Sequence, residues 1–127
     1  MIAFDTSFLV DYLDGERAAA EYLETHREKP FFAPSLALFA VYRGAARVGG
    51  ADEVARAESA LDWLEPLSLT APAVREAALI EAELLESGEP VNLGDTLIGG
   101  ICRHNGARIV TRDSDFDRIE DLEVIPY

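Results

Sequence analysis

The sequence predicts an α/β fold in three layers, a central and mostly parallel sheet with helices on both faces. Two observations carry this: short apolar runs alternate with helical, amphipathic stretches from one end of the chain to the other, and Gly, Pro or a capping residue punctuates the joins between them. A third is that 127 residues hold no internal repeat, low-complexity tract or linker, so they suit one domain spanning 1–127 with a substantial core.

The elements follow in order. Met1 to Phe4 is an apolar run ending at Asp5, and Thr6 is placed to cap a helix through Phe8, Leu9, Val10, Tyr12 and Leu13. Glu16 to Arg27 has Ala19, Tyr22 and Leu23 at helical spacing, and Pro30 separates it from a strand over Phe31 to Ala33. Pro34-Ser35 opens a helix carrying Leu36, Leu38, Phe39, Val41 and Tyr42 to a break at Gly49-Gly50. Asp52 starts another through Leu61, Trp63 and Leu64, before a strand over Pro66 to Leu69. Thr70-Ala71-Pro72 begins a helix through Val74, Leu79, Leu84 and Leu85 that closes at Ser87-Gly88. Asn92 caps the helix of Asp95, Leu97, Ile98 and Ile101, which stops at Asn105-Gly106. Strand Arg108 to Thr111, an acidic turn Asp113 to Asp117 and strand Leu122 to Ile125 complete the chain. Trp63 and Phe31-Phe32 read as core, and Cys102 as a small buried hydrophobe; a single cysteine excludes an internal disulfide.

The chain carries 24 acids against 11 Lys and Arg, a net charge of −13. The acids are spread over nearly every segment and Lys29 is the single lysine, which resembles a surface adapted to high salt, where global charge says little about what a local site binds. No apolar run reaches the roughly 18 residues of a membrane span, and the opening residues lack a secretory leader, so the expected place is the cytoplasm with no membrane partner.

In open α/β sheets, ligands bind beyond the carboxyl ends of the strands where strand order reverses. Asp5 closes the first strand, Asp113 and Asp115 follow strand Arg108 to Thr111, and Asp95 lies in the first turn of a helix; right-handed crossovers bring all four to one edge. Each acid alone reads equally as a turn residue, a helix-dipole partner or part of a solvated loop. Together they are costly without a cation, since carboxylates about 4 Å apart repel by about 4 kcal/mol at an effective dielectric of 20. An all-oxygen set points to Mg²⁺ or Mn²⁺ and to phosphodiester hydrolysis. A calcium loop starting at Asp113 is excluded, because Arg118 and Val124 stand where Gly and Glu are needed. His26 and His104 have no second ligand nearby in sequence. Arg43, Arg47, Arg103, His104, Arg108 and Arg112 are expected near the acidic edge, either steering phosphates or pairing with surface acids.

Three segments, Ile2-Ala3-Phe4-Asp5-Thr6-Ser7-Phe8-Leu9-Val10, Asn92-Leu93-Gly94-Asp95-Thr96-Leu97-Ile98 and Thr111-Arg112-Asp113-Ser114-Asp115-Phe116, occur in an order that resembles the PIN-domain ribonucleases, especially the VapC toxins of toxin–antitoxin pairs. The resemblance implies a PIN-like fold, RNA cleavage with Mg²⁺ or Mn²⁺ held by Asp5, Asp95 and Asp113, Asp115 completing the pocket, and Thr111 positioning water or phosphate. It also implies a homodimer silenced by a cognate antitoxin whose basic side chains enter the acidic pocket. One departure matters. The family places Glu in the helix after the second strand, where this chain has Ala40, and no acid occurs from Pro30 to Ala51. The resemblance therefore implies an impaired nuclease, or a non-enzymatic PIN module that binds metal, RNA or the antitoxin. A response-regulator receiver fits poorly, as it needs paired early acids and a late Lys.

Overall fold

The computed structural model describes residues 1–27 and 29–127. Its centre is a five-stranded sheet of β1 (Ile2–Phe4), β2 (Phe31–Pro34), β3 (Leu64–Leu67), β4 (Arg108–Val110) and β5 (Val124–Ile125), in the order β3-β2-β1-β4-β5. Every pairing is parallel, with Ala3 opposite Ile109 and Phe4 opposite Val110. The helices are α1 (Thr6–Leu13), α2 (Arg17–Thr25), α3 (Ser35–Ala60), α4 (Ala71–Ser87) and α5 (Leu93–Asn105), and a 3₁₀ turn spans Ser114–Arg118. The first three strands step outward in one direction, and the chain then returns through α4 and α5 to place β4 on the other side of β1. Right-handed crossovers thus set α1–α3 on one face and α4–α5 on the other. The switch point lies between β1 and β4.

Burial explains the central strand. Ile2, Ala3 and Phe4 are all buried, as a strand covered on both faces requires. Phe4 stacks on Phe8 at 4.1 Å between ring centroids and meets Tyr22, Phe31 and Trp63 at 5.3–5.9 Å, so one aromatic cluster ties β1, α1, α2, β2 and the turn before β3. Phe31 is a core residue as expected, whereas Phe32 and Trp63 are only partly buried and pack against that core. Cys102 is fully buried, and burial pushes its thiol up to about 12, which keeps it protonated and inert.

The expected element order holds, with adjustments at the ends. Asp5, not Thr6, is the N-cap of α1: its carbonyl accepts from the Leu9 N–H at 3.1 Å, while its side chain makes no cap bond. The helix expected through Leu64 stops at Ala60, because Leu64 pairs opposite Phe31 and starts β3 two residues earlier than Pro66. An apolar spacing of Leu61 and Leu64 suits a helix and a strand end equally, and sheet pairing decides it. The break at Gly49-Gly50 appears as a kink within α3, where Gly50 has φ 65° and ψ −148°, a conformation reserved for glycine. Thr70 and Asn92 cap α4 and α5 through their side chains, and Gly88 and Gly106 end them in the left-handed region. No helix among the described residues is long and apolar enough to cross a membrane.

Candidate metal and catalytic site

The topology delivers two chain segments to the crevice between β1 and β4. Asp5 follows β1 directly and is buried; its backbone N–H donates to the Val110 carbonyl at 3.1 Å, extending the β1–β4 ladder by one residue. Thr111 follows β4, is buried, and donates to Asp5 Oδ2 at 2.8 Å. Ser7, in the first turn of α1, donates to the same oxygen at 3.3 Å and lies 3.2 Å from the Thr111 hydroxyl. The Thr111 hydroxyl also accepts from the Asp113 N–H at 3.0 Å, which turns the chain toward the cavity. Asp5 is therefore oriented from one side. Its other oxygen, Oδ1, is buried and has no hydrogen-bond partner among the described residues.

The remaining acids come from helix starts. The Asn92 side chain accepts from the Asp95 N–H at 2.8 Å and donates to Asp95 Oδ2 at 2.8 Å, so the residue that caps α5 also fixes the Asp95 rotamer. Asp113 caps the 3₁₀ turn by accepting from the Asp115 N–H at 2.9 Å, and Arg118 lies 3.6 Å from Asp115 Oδ1. Carboxylate oxygens of Asp95, Asp113 and Asp115 lie within 4.8 Å of one another. Asp5 stands outside that triplet yet close enough for its charge to act on Asp95. Burial, then the charges of Asp5 and Asp113, and more weakly Asp115, raise the Asp95 carboxyl to about 6 against the opposing hydrogen bond from Asn92. Burial likewise raises Asp5, partly offset by the hydroxyl of Thr111.

Such a set is unstable alone. A pair at 4.8 Å repels by about 3 kcal/mol at an effective dielectric of 20, and a buried carboxylate oxygen without a partner adds a desolvation cost of a few kcal/mol. A hard divalent cation answers both, because the donors are all oxygens and Asp5 Oδ1 is unclaimed. The geometry thus brings together all five residues singled out by sequence, Asp5, Asp95, Thr111, Asp113 and Asp115. The basic residues divide differently. Arg103 and His104 lie in the last turn of α5 and Arg108 opens β4, so they sit at the amino ends of the strands, away from the acids; the expectation that placed them at the acidic edge is corrected by the direction of α5, which runs against the sheet. Arg103 is nearly buried and bonds Glu76 at 2.6 Å and Glu83 at 2.9 Å. Ser7 was not anticipated; its position two residues after Asp5, at the second position of a helix, was the available signal. Asn92 was anticipated only as a cap. Ala40 is half-buried and lines an apolar groove of about 630 Å³ between α1 and α3, beside Val10, Leu13 and Gly44.

A PIN-domain sequence profile matches residues 2–122. No curated protein matches the chain in sequence. Among solved structures, a chain of VapBC2 from Rickettsia felis, bound to a DNA fragment from its promoter, superposes with a TM-score of 0.90 at 20% identity, covering 100% of this chain and 99% of that one. VapBC-5 from Mycobacterium tuberculosis, a member of the VapBC family of toxin–antitoxin systems, gives 0.71 at 24% identity over 99% and 98%. VapC20 from the same organism, a toxin that cleaves the sarcin–ricin loop, gives 0.69 at 17% identity over 97% and 99%. The profile spans nearly the whole chain and the shared fold puts four acids at one sheet edge: this chain belongs to the PIN-domain family.

Proposed function

We propose that this chain is a VapC-type toxin of the cytoplasm, an endoribonuclease that uses Mg²⁺ or Mn²⁺ to hydrolyse RNA phosphodiesters and whose hydrolytic step is weakened by Ala40. The observation that carries this reading is the unpartnered, buried Oδ1 of Asp5 beside the three mutually close carboxylates of Asp95, Asp113 and Asp115. Asp5, Asp95 and Asp113 hold the cation, with Asp115 at its margin. When bound, the cation polarises the phosphate and lowers the pKa of attacking water. Thr111 and Ser7 keep Asp5 oriented, and Asn92 keeps Asp95 oriented, so two of the ligand carboxylates are fixed before any cation arrives. The chain acts as a homodimer and is silenced by a cognate antitoxin whose Arg side chains pair bidentately with these acids; the toxin–antitoxin character of VapBC-5 supports the antitoxin partner.

A second reading, a PIN module that binds metal, RNA or antitoxin without cutting, is favoured by one feature: α3 has no acid before its kink, and Ala40 places a methyl group where the family has a carboxylate. Cleavage of an RNA panel by the chain and by Ala40→Glu, with Mg²⁺, Mn²⁺ or chelator, separates the two. Ala40 is half-buried and borders a groove of about 630 Å³, so the variant should fold. Restored general-base or electrostatic assistance predicts a rate about 10² to 10⁴ higher, abolished by chelator. Equal cutting by both forms removes Ala40 from the catalytic set, and no cutting by either favours the binding module.

A further inference from the structure

An acidic pocket that works on a polyanion needs a cation at its rim, and the described arginines differ sharply in whether they can supply one. Arg103 is nearly buried between two glutamates at the wrong end of α5. Arg118 is drawn to Asp115 and to the Pro90 carbonyl. Arg112 stands between Thr111, which orients Asp5, and Asp113, a member of the acidic triplet, and its side chain is 60% exposed. Its backbone N–H reaches Ser7 Oγ at 3.4 Å.

What holds the Arg112 side chain is unusual for an exposed arginine. Its Nη2 lies 3.1 Å from Oδ1 of Asp11, a buried carboxylate on α1, whose Oδ2 accepts the Tyr127 hydroxyl at 2.6 Å. Tyr127 is in turn packed edge-on against Phe8, 4.9 Å between centroids. Both Asp11 oxygens are thus engaged, one by the Arg112 guanidinium and the other by a tyrosine packed against the core. One nitrogen of the guanidinium is tethered, while Nε and Nη1 have no partner among the described residues. A planar guanidinium held on one side at Nη2 and open at its other N–H groups is prepared to donate to a phosphate.

We infer that Arg112, positioned by Asp11 and Tyr127, binds a backbone phosphate of the RNA flanking the acidic pocket. This rests on the ribonuclease reading and adds to it the residue that seats the substrate. Ser7 and Thr111 couple the two parts, since the backbone that carries Arg112 is the backbone that orients Asp5.

The test is fluorescence anisotropy of a labelled RNA hairpin titrated with the full chain in Mg²⁺, across a salt series, with intact RNA checked on a gel. Arg112→Ala should raise the Kd about tenfold and, relative to the unaltered chain, reduce the salt slope by about 0.7 to 0.9, the loss of one phosphate contact. Arg112→Lys should recover the slope but only part of the affinity, because a point charge replaces a fork. Arg17→Ala, at an exposed site on α2, should leave both unchanged. If Arg112→Ala binds like the unaltered chain, or if Arg17→Ala loses as much, the inference is overturned while the RNA reading stands. If the unaltered chain binds no RNA in any salt, the RNA reading itself fails and takes the inference with it. Should Arg112→Ala fail to fold, the Lys form decides: unchanged affinity overturns the inference, and weaker binding at a retained slope supports it.

Discussion

Asp5 and Asp95 show how the same side chain is given different duties by its surroundings. Asp5 is buried with one oxygen satisfied by Thr111 and Ser7 and one left unpaired among the described residues, whereas Asp95 is half-buried, gripped by Asn92 and raised by that burial and then by neighbouring charges. Calorimetry should therefore detect Mg²⁺ or Mn²⁺ binding that disappears in the Asp5→Asn, Asp95→Asn double variant; retained binding would remove both from the proposed metal site. A proton competes with the cation at Asp95, so apparent affinity should fall about tenfold from pH 7 to pH 5, one unit below a carboxyl at about 6. The sign for folding is the opposite of an ordinary salt-bridged acid. Asp95 holds its proton more tightly in the fold than the usual 3.8, so its contribution is fully present below pH about 4 and is lost as pH rises through about 6. Melting curves in chelator should show Asp95→Asn gaining on the unaltered chain across that window. A constant difference between the two would mean that neither burial nor neighbouring charge raises the Asp95 carboxyl in the fold.

At the scale of elements, the most extensive packing is between α4 and α5, the pair that carries the chain back across the sheet and aims the first turn of α5 at the crevice. A Cβ on Gly100 would lie 2.6 Å from Ala77 Cβ and 2.8 Å from the Ala73 carbonyl, whereas on Gly99 the tight contact at 2.8 Å is the tip of the Ile119 side chain. Backbone cannot yield as a side-chain tip can. Gly100→Ala should cost about 1 to 3 kcal/mol in urea unfolding even after the roughly 1 kcal/mol that Ala gains over Gly in a helix, while Gly99→Ala should be near neutral. Equal effects would mean that the helix pair relaxes freely. The same elements explain what the sequence reveals. Caps and stops at Thr70, Gly88, Asn92 and Gly106 are local chemistry and were legible, as was the convergence of Asp5, Asp95, Thr111, Asp113 and Asp115 on one edge, which follows from strand ends and crossover handedness. The start of β3 at Leu64 was not, because pairing with Phe31 is a long-range fact. Nor was the sequestering of Arg103 by Glu76 and Glu83, which needs α4 laid against α5, or the reach of Arg112 back to Asp11 across 101 positions of sequence.

For the whole molecule, 24 acids against 11 Lys and Arg set a field that no single pair cancels. Several basic residues are already bound to acids: Arg17 to Glu21, Arg56 to Glu53, Arg103 to Glu76 and Glu83, Arg112 to Asp11 and Arg118 to Asp115. Most of these pairs are exposed and each contributes about 1 kcal/mol or less. The surplus acids repel one another in the compact state and separate when the chain unfolds, so self-repulsion destabilises the fold at low ionic strength. At 1 M salt the screening length is about 3 Å, shorter than most spacings between surface charges, and the repulsion collapses. Thermal melts in chelator, which removes the contribution of the proposed metal site, should accordingly rise by about 5 °C between 0.05 and 1 M KCl, roughly 1 to 2 kcal/mol for a chain of this size. Chloride is the right salt because sulfate would strengthen apolar burial by a separate route. A flat or falling melting temperature would show that the acids are already spaced beyond mutual influence and would end the reading of this surface as one built for salt. A rise would also remove the apparent conflict between a net charge of −13 and an RNA substrate, since under the same screening the RNA meets only the groups it touches.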